Sequence, residues 1–446
     1  MKKNIFKSPV AMMLAMIMII ALIGCSNTPS QDGGSSQDAS GGSQQPEKPV
    51  KKEKMVFWDK SEYVAEYNAM MKERAEQFGK EHGIEVEYVI VSPNDMEAKL
   101  MAAVEGKNPP DLVMTHDTSG KQFAAMDQLV DMSDIYQKVD FTDTGKKVAY
   151  TKKGEYVIPQ AILAGAMYLR KDKWDEKGLD YPDTWQEVLD TAQQVNDPKN
   201  GFYAVGFPIG ASGGGDAMSW LLSVVHGYGG MPVDENDNIT INSPETLEAL
   251  KLAAKFYELN LTPPASVTWD DMGNNTAYLA GTAGIIFNSG SVQAAMAAEK
   301  PELLKNTVIL PMPAGPVSRF NAGSANVFIV FKNGKNTAAA KLFIEEFFQP
   351  EFYNSLIEQL GGHWQPAVKG MEETEFWKKP ENQGWLKSAE STVPATHPAE
   401  SNEVSMKTVS EQLLVKAVQK IVVNKMDPQQ ALDELEADYK RVYRKQ

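Results

Sequence analysis

Met55-Val56-Phe57-Trp58 opens the folded part of the chain, and Asp111-Leu112-Val113-Met114 closes its first run of alternating elements. The stretch between them decides the fold. Met55 to Trp58 has the make-up of a short buried strand. Tyr63, Tyr67, Met70, Met71, Ala75 and Phe78 then fall on one face at helical spacing, and Gly83 ends that helix. Val86, Tyr88 and Ile90 alternate along a second strand. Ser92-Pro93 opens a second helix, with serine as cap, proline at the first helical position and Asp95 near the positive end. Asp111 to Met114 is the third strand. Strand–helix–strand–helix–strand order predicts a parallel α/β arrangement.

The pattern resumes downstream. Ala166 to Leu169 is strand-like, and Thr184-Trp185-Gln186-Glu187 has the form of a capping box opening a helix to Val195. Ser243-Pro244-Glu245 opens another helix, to about Leu259. Gly284 to Phe287 and Val327 to Phe331 are strands, and Asn336 caps a helix to Phe348. From Glu403 onward the tail is helical, with Leu413, Leu414, Val418 and Ile421 as its apolar face. No internal repeat recurs at a fixed period.

Working toward the N-terminus, Lys2, Lys3 and Lys7 precede an apolar run from Ala11 to Ile23. That run is short for a membrane span, which takes roughly 20 apolar residues, and has the layout of a secretory signal. It ends at Leu22-Ile23-Gly24-Cys25, which resembles a bacterial lipobox. The resemblance implies cleavage before Cys25, the only cysteine of the chain, and lipid attachment to it. Two acyl chains suffice for stable anchoring. Residues 26–54 are Ser, Gly, Gln, Asp and Pro with almost no large apolar side chain, the composition of a tether. The remaining roughly 390 residues exceed one core, so two lobes are expected. A net charge of −15 argues against nucleic acid and anionic lipid as partners.

Several motifs add up to a known family. Gly106-Lys107-Asn108-Pro109-Pro110-Asp111-Leu112-Val113 resembles the G-x-x-P-D-(I/V) signature of family 1 extracellular solute-binding proteins. Tyr168-Leu169-Arg170-Lys171-Asp172 is similar to that family's Y-Y-N-K-D strand exit. Gly178 to Trp185 is similar to its G-L-x-x-P-x-T-W segment. Tyr278 to Ile285, Pro311-Met312-Pro313 and Gly361-Gly362-His363-Trp364-Gln365-Pro366 follow in the expected order. The resemblance covers roughly residues 55–370, and its pieces are specific jointly rather than singly.

The resemblance implies a two-lobed periplasmic-binding-protein type II fold, with mixed sheets flanked by helices and a hinge. The expected division is signal peptide 1–24, lipidated cysteine and tether 25–53, lobe 1 at 54–162 and 316–358, and lobe 2 at 163–315 and 359–446. Crossings are expected near Gln160–Gly165, Ala314–Arg319 and Leu356–Gly362. It also implies a lipid-anchored receptor outside the cytoplasm, on the outer face of a Gram-positive cell membrane. Such a receptor is a monomer, needs no cofactor, and hands a carbohydrate to ABC permease subunits. A receptor for a glycerol phosphodiester, or a sugar sensor partnered with a membrane kinase, remains the alternative.

Sugar recognition needs aromatic faces for C–H surfaces and paired donors and acceptors for hydroxyls. Ligands of open α/β sheets sit beyond the strand ends. The expected ligand-binding residues are therefore Trp58, Asp59, His116, Asp117, Trp220, Trp269, Asp270, Asn288, Arg319, Ser324 and Trp364, while Trp174 and Trp185 are assigned to the core. His116-Asp117-Thr118-Ser119-Gly120 resembles an H-D-R-F-G-G segment of sugar-binding members. Leu163 and Ser291 depart from the maltose-binding members, so maltodextrin specificity does not carry over. Catalytic elbows, phosphate loops and metal-ligand spacing among His82, His116, His226, His363 and His397 are not found, so neither an enzyme nor a metal site is expected.

Overall fold

The computed structural model describes residues 53–444, other than 63, 212 and 213. The expected signal peptide, Cys25 and nearly all of the tether lie outside the described residues. Among those described, no helix is long and apolar enough to cross a membrane.

Eleven strands form two sheets. In chain order they are β1 Lys54–Lys60, β2 Glu85–Val91, β3 Leu112–His116, β4 Ile158–Leu163, β5 Ala166–Arg170, β6 Tyr203–Val205, β7 Ala283–Asn288, β8 Thr307–Leu310, β9 Asn321–Val330, β10 Gln365–Pro366 and β11 Thr392–Pro394. The larger sheet has the order β10-β4-β9-β3-β1-β2, with β11 paired to β9. The smaller has the order β6-β7-β5-β8. The expected parallel unit is present: β1 lies between β2 and β3, parallel to both. Beyond β3 the sheet turns antiparallel, through β9 and β4.

Local chemistry explains the elements. Gly83 ends the first helix, Ala65–His82, at φ 69°, in the left-handed region glycine enters freely. Thr184 and Glu187 form a reciprocal capping box. Ser243 and Asn336 accept from the backbone N–H groups of Thr246 and Ala339. Pro93 does open its helix, but the Ser92 side chain makes no cap bond. Leu413, Leu414, Val418 and Ile421 are buried, as the tail pattern predicts.

The chain leaves the larger sheet after β4, passes Ala164–Gly165 and enters the smaller sheet at β5. It returns between β8 and β9. Segment 359–446, expected to complete the second lobe, also sends β10 and β11 into the larger sheet. Two-residue and three-residue strands carry no periodicity, so sequence patterning does not reveal them. The helices Leu413–Val422 and Pro428–Tyr443 pack against Gly214–Gly227 and Pro244–Glu258, beside the smaller sheet.

A polar cleft site built from both sheets

The end of β1 places Lys60 at the centre of one polar group. Its Nζ lies 2.5 Å from Glu62, and both side chains are almost enclosed, at 4% and 5% exposed. Lys60 also donates to His116 Nε2 at 3.2 Å, from the end of β3. Burial, then the Lys60 charge, holds the His116 imidazole down to about 4, so the ring is neutral and Nε2 is free to accept. Asn326, from β9, donates to Glu62 at 3.2 Å. Burial pushes the Glu62 carboxyl up, and Lys60 pulls it back. His363 faces the same charge: burial and Lys60 lower its pKa to about 4. Asn326 Oδ1 and His363 Nδ1 are buried without a hydrogen-bond partner among the described residues. Buried polar atoms are rarely left so, and a ligand hydroxyl would satisfy both.

The second group belongs to the smaller sheet. Asn288, at the end of β7, donates to Asp216 Oδ2 at 2.6 Å, and Asn274 donates to the same oxygen at 2.9 Å. Asn288 also bonds Asn275. Burial, then the Asp271 charge, raises the Asp216 carboxyl to about 7. Ser289 and Ser291 share a hydrogen bond at the following turn. The groups meet at that turn. A Cβ on Gly290 would lie 2.4 Å from His363 Cα, so only glycine lets the two segments touch.

The expected ligand residues therefore separate. His116 joins the Lys60 group and Asn288 the Asp216 group. Asp59 is buried, taking bonds from Tyr88 at 2.5 Å and Tyr67 at 3.2 Å. Trp58 is partly buried against the Val91–Leu100 cluster. Asp117 is enclosed in an ion pair with Lys121 at 2.7 Å and also accepts from Ala325 N–H. Ser324 lies opposite Leu163 where β9 pairs with β4.

One expectation is corrected. Trp220 is fully buried, its indole N–H given to Pro208 O at 2.9 Å, because it sits on the core face of its helix. Trp364 is also buried, edge-on to Tyr67 at 4.6 Å, and its indole N–H has no hydrogen-bond partner among the described residues. Arg319 is bound to Asp183 at 2.7 Å and to Met312 O, which ties down the crossing segment. Trp269 and Asp270 line a separate groove. Lys60, Glu62, Asn326 and Asp216 were not among the expected residues. A charged pair directly after a strand end was a usable signal for Lys60 and Glu62; Asn326, in mid-strand, offered none.

The described residues hold one metal-like group, Glu81, His82 and Glu346. Arg74 reaches both carboxylates, at 3.3 and 2.6 Å, and supplies the positive charge there.

Asp59 gives a pH prediction. Burial, opposed by the Tyr88 and Tyr67 hydroxyls, raises its pKa to about 7, against about 3.9 unfolded. The folded state therefore holds this proton better. The stability it contributes is full below about pH 4 and is lost as pH rises through about 7. Asp59→Asn keeps a neutral side chain at every pH. Its stability relative to the parent should rise by a few kcal/mol, on the order of 3, between pH 4 and pH 8 in denaturant titrations. Parallel pH curves for the two proteins would contradict a buried, protonated Asp59.

Comparison with known proteins agrees with this architecture. The family described as bacterial extracellular solute-binding protein matches residues 60–353. The chain belongs to this family. It is 27% identical over 296 residues to the maltotriose-binding protein of Pyrococcus abyssi, covering 62% of this chain and 59% of that one. The chain spans about half the length of the curated relatives it matches. The sugar-binding protein MalE from Xanthomonas citri superposes with a TM-score of 0.75 at 16% identity, over 87% of this chain and 97% of that one. An ABC transporter solute-binding protein from Thermotoga lettingae, bound with alpha-D-tagatose, gives 0.70 at 17%, over 88% and 100%. The fold is thus the two-lobed α/β fold of these binding proteins.

Proposed function

We propose that this protein is the receptor of a carbohydrate ABC importer, lipid-anchored through Cys25 outside the cytoplasm, and that it captures its solute without chemical change. One observation carries the reading. Two polar groups stand one beside each sheet, Lys60–Glu62–His116–Asn326 by the larger and Asp216–Asn288–Asn275 by the smaller, and Gly290 packs on His363 between them. They offer donors and acceptors from both sides, as a polyhydroxylated solute requires. The family, and relatives whose names refer to maltotriose and tagatose, support a sugar.

Capture works by closure. A solute bonded to only one group would not shift the hinge, because only differential contact with the closed state moves the equilibrium. A solute touching Lys60 or His116 on one side and Asn288 on the other stabilises the closed form, which the permease subunits then recognise.

A thermal-shift screen over sugars, oligosaccharides, polyols and glycerol phosphodiesters tests this. A ligand at a thousand times its Kd adds about 4 kcal/mol to stability, so a sugar should raise Tm by several degrees and be recovered unaltered. A response to phosphodiesters alone, or a hydrolysed sugar, would overturn the reading.

A further inference from the structure

Asp216, in the first turn of the helix Gly214–Gly227, is held by two asparagines that cannot turn away from it. Asn274 and Asn288 are 0% and 5% exposed, and they donate to Asp216 Oδ2 at 2.9 and 2.6 Å. Their own oxygens are already in use. Asn274 Oδ1 accepts the Asn275 N–H at 2.9 Å, and Asn288 Oδ1 accepts the Ser289 N–H at 2.9 Å. The amides are thereby fixed with their N–H groups toward the carboxylate, which suits its charged form. Both bonds go to Oδ2, and Oδ1 takes none from the described residues.

Asp271 stands beside it. Its Oδ1 accepts the Asp216 N–H at 3.3 Å, and a Cβ on Gly214 would lie 2.3 Å from that oxygen, so glycine there lets the second carboxylate approach. No cation among the described residues answers the pair: burial, then the Asp271 charge, raises the Asp216 carboxyl to about 7. Tyr168 is the other titratable group in its field. Beside the larger sheet, Lys60 is bound to Glu62, and burial keeps His116 and His363 neutral. The Asp216 site is therefore short of one positive charge.

A second observation points to an occupant that donates. Asn326 and Gln160, both 0% exposed, have side-chain oxygens with no partner among the described residues. Asn326 lies opposite His116 in the β3–β9 register and bonds Glu62. Gln160 bonds Tyr67, which bonds Asp59 next to Lys60. Both free atoms are acceptors, so the missing partner brings N–H or O–H groups rather than anionic oxygens. A divalent metal fits poorly at Asp216, since calcium takes about six or more oxygens and those of Asn274 and Asn288 are committed.

We infer that the solute carries an amine whose cationic nitrogen binds Asp216 Oδ1, so that the receptor selects amino sugars over their neutral counterparts. The inference rests on the sugar-receptor reading and adds a charge to the solute. Asp271 reinforces the attraction without touching the nitrogen, and the asparagines hold the carboxylate in place.

Titration calorimetry on the whole protein tests it, with the amino, acetamido and hydroxyl forms of glucose, galactose and mannose, alone and as disaccharides, as probes. In the series that binds, the amino form should bind roughly tenfold or more tightly than either neutral form, the worth of a charge-assisted bond. Asp216→Asn should shrink that ratio to about threefold or less, with the melting temperature reporting whether the fold is intact. The parent protein gives a separate readout. At pH 6 the Asp216 carboxyl is mostly protonated, and a bound cation expels that proton. Close to one proton should be released per amine, read from binding heats in buffers of different ionisation enthalpy, and none per neutral sugar. Should Asp216→Asn not fold, this proton count decides. Neutral forms that bind as tightly as the amine, amine binding without proton release, or an amine preference retained in Asp216→Asn would overturn the inference and leave the receptor reading standing. Failure of every saccharide to bind the parent protein would overturn both.

Discussion

Replacing Lys60 by Met is expected to lower the free energy of unfolding by about 3–5 kcal/mol, the cost of leaving a buried carboxylate without its partner. Glu62 would keep only the Asn326 amide, at 3.2 Å, and has almost no solvent to turn to. The same substitution should abolish sugar binding, since it removes the cation at the centre of the first polar group. Stability and binding can be separated. Lys60→Met combined with Glu62→Gln removes the uncompensated charge and should recover most of the stability, while binding stays lost. Denaturant unfolding with calorimetry on the three proteins checks this. A single variant as stable as the parent would show that the pair is not enclosed.

Trp220→Ala is expected to cost about 3–5 kcal/mol, with ligand affinity of the folded protein unchanged. The indole packs against Phe207 at 5.0 Å and Trp185 at 6.3 Å, and its N–H bond to Pro208 O would be lost with it. Urea unfolding measures the first quantity and calorimetry the second. Reduced affinity at unaltered stability would return Trp220 to the ligand site.

The contrast between these residues shows what the sequence could convey. Helix caps at Thr184, Ser243 and Asn336, and the strand–helix alternation from Met55 to Met114, rest on neighbours a few residues apart, so they are legible in one dimension. The site is not local in this way. Trp220, Trp269 and Trp364 look alike as tryptophans beside loops, yet two are core and one borders a groove. What separates them is what each meets in the fold: Pro208 and Phe207 for Trp220, Tyr67 for Trp364, and Gly210, 59 residues earlier, for Trp269. Arg319 stood out as a lone cation, but its partner Asp183 is distant in sequence. His116 and Asn288 were legible because a strand's final residue faces the cleft by construction. Asn326 was not, because it reaches Glu62 from inside β9.

The pairing of β11 with the first residues of β9 governs when this chain can finish folding. Asn321 donates its amide to Gly165 O, Ser388 O and Oγ, and Thr392 Oγ1, all within 2.9–3.1 Å. The larger sheet thus joins strands from the beginning of the domain to one near its end. During synthesis the early strands are exposed while this closing segment is still missing, and pairings between such distant parts form slowly. While the chain is still being made, the larger sheet stays incomplete until the segment around Thr392–Pro394 has emerged.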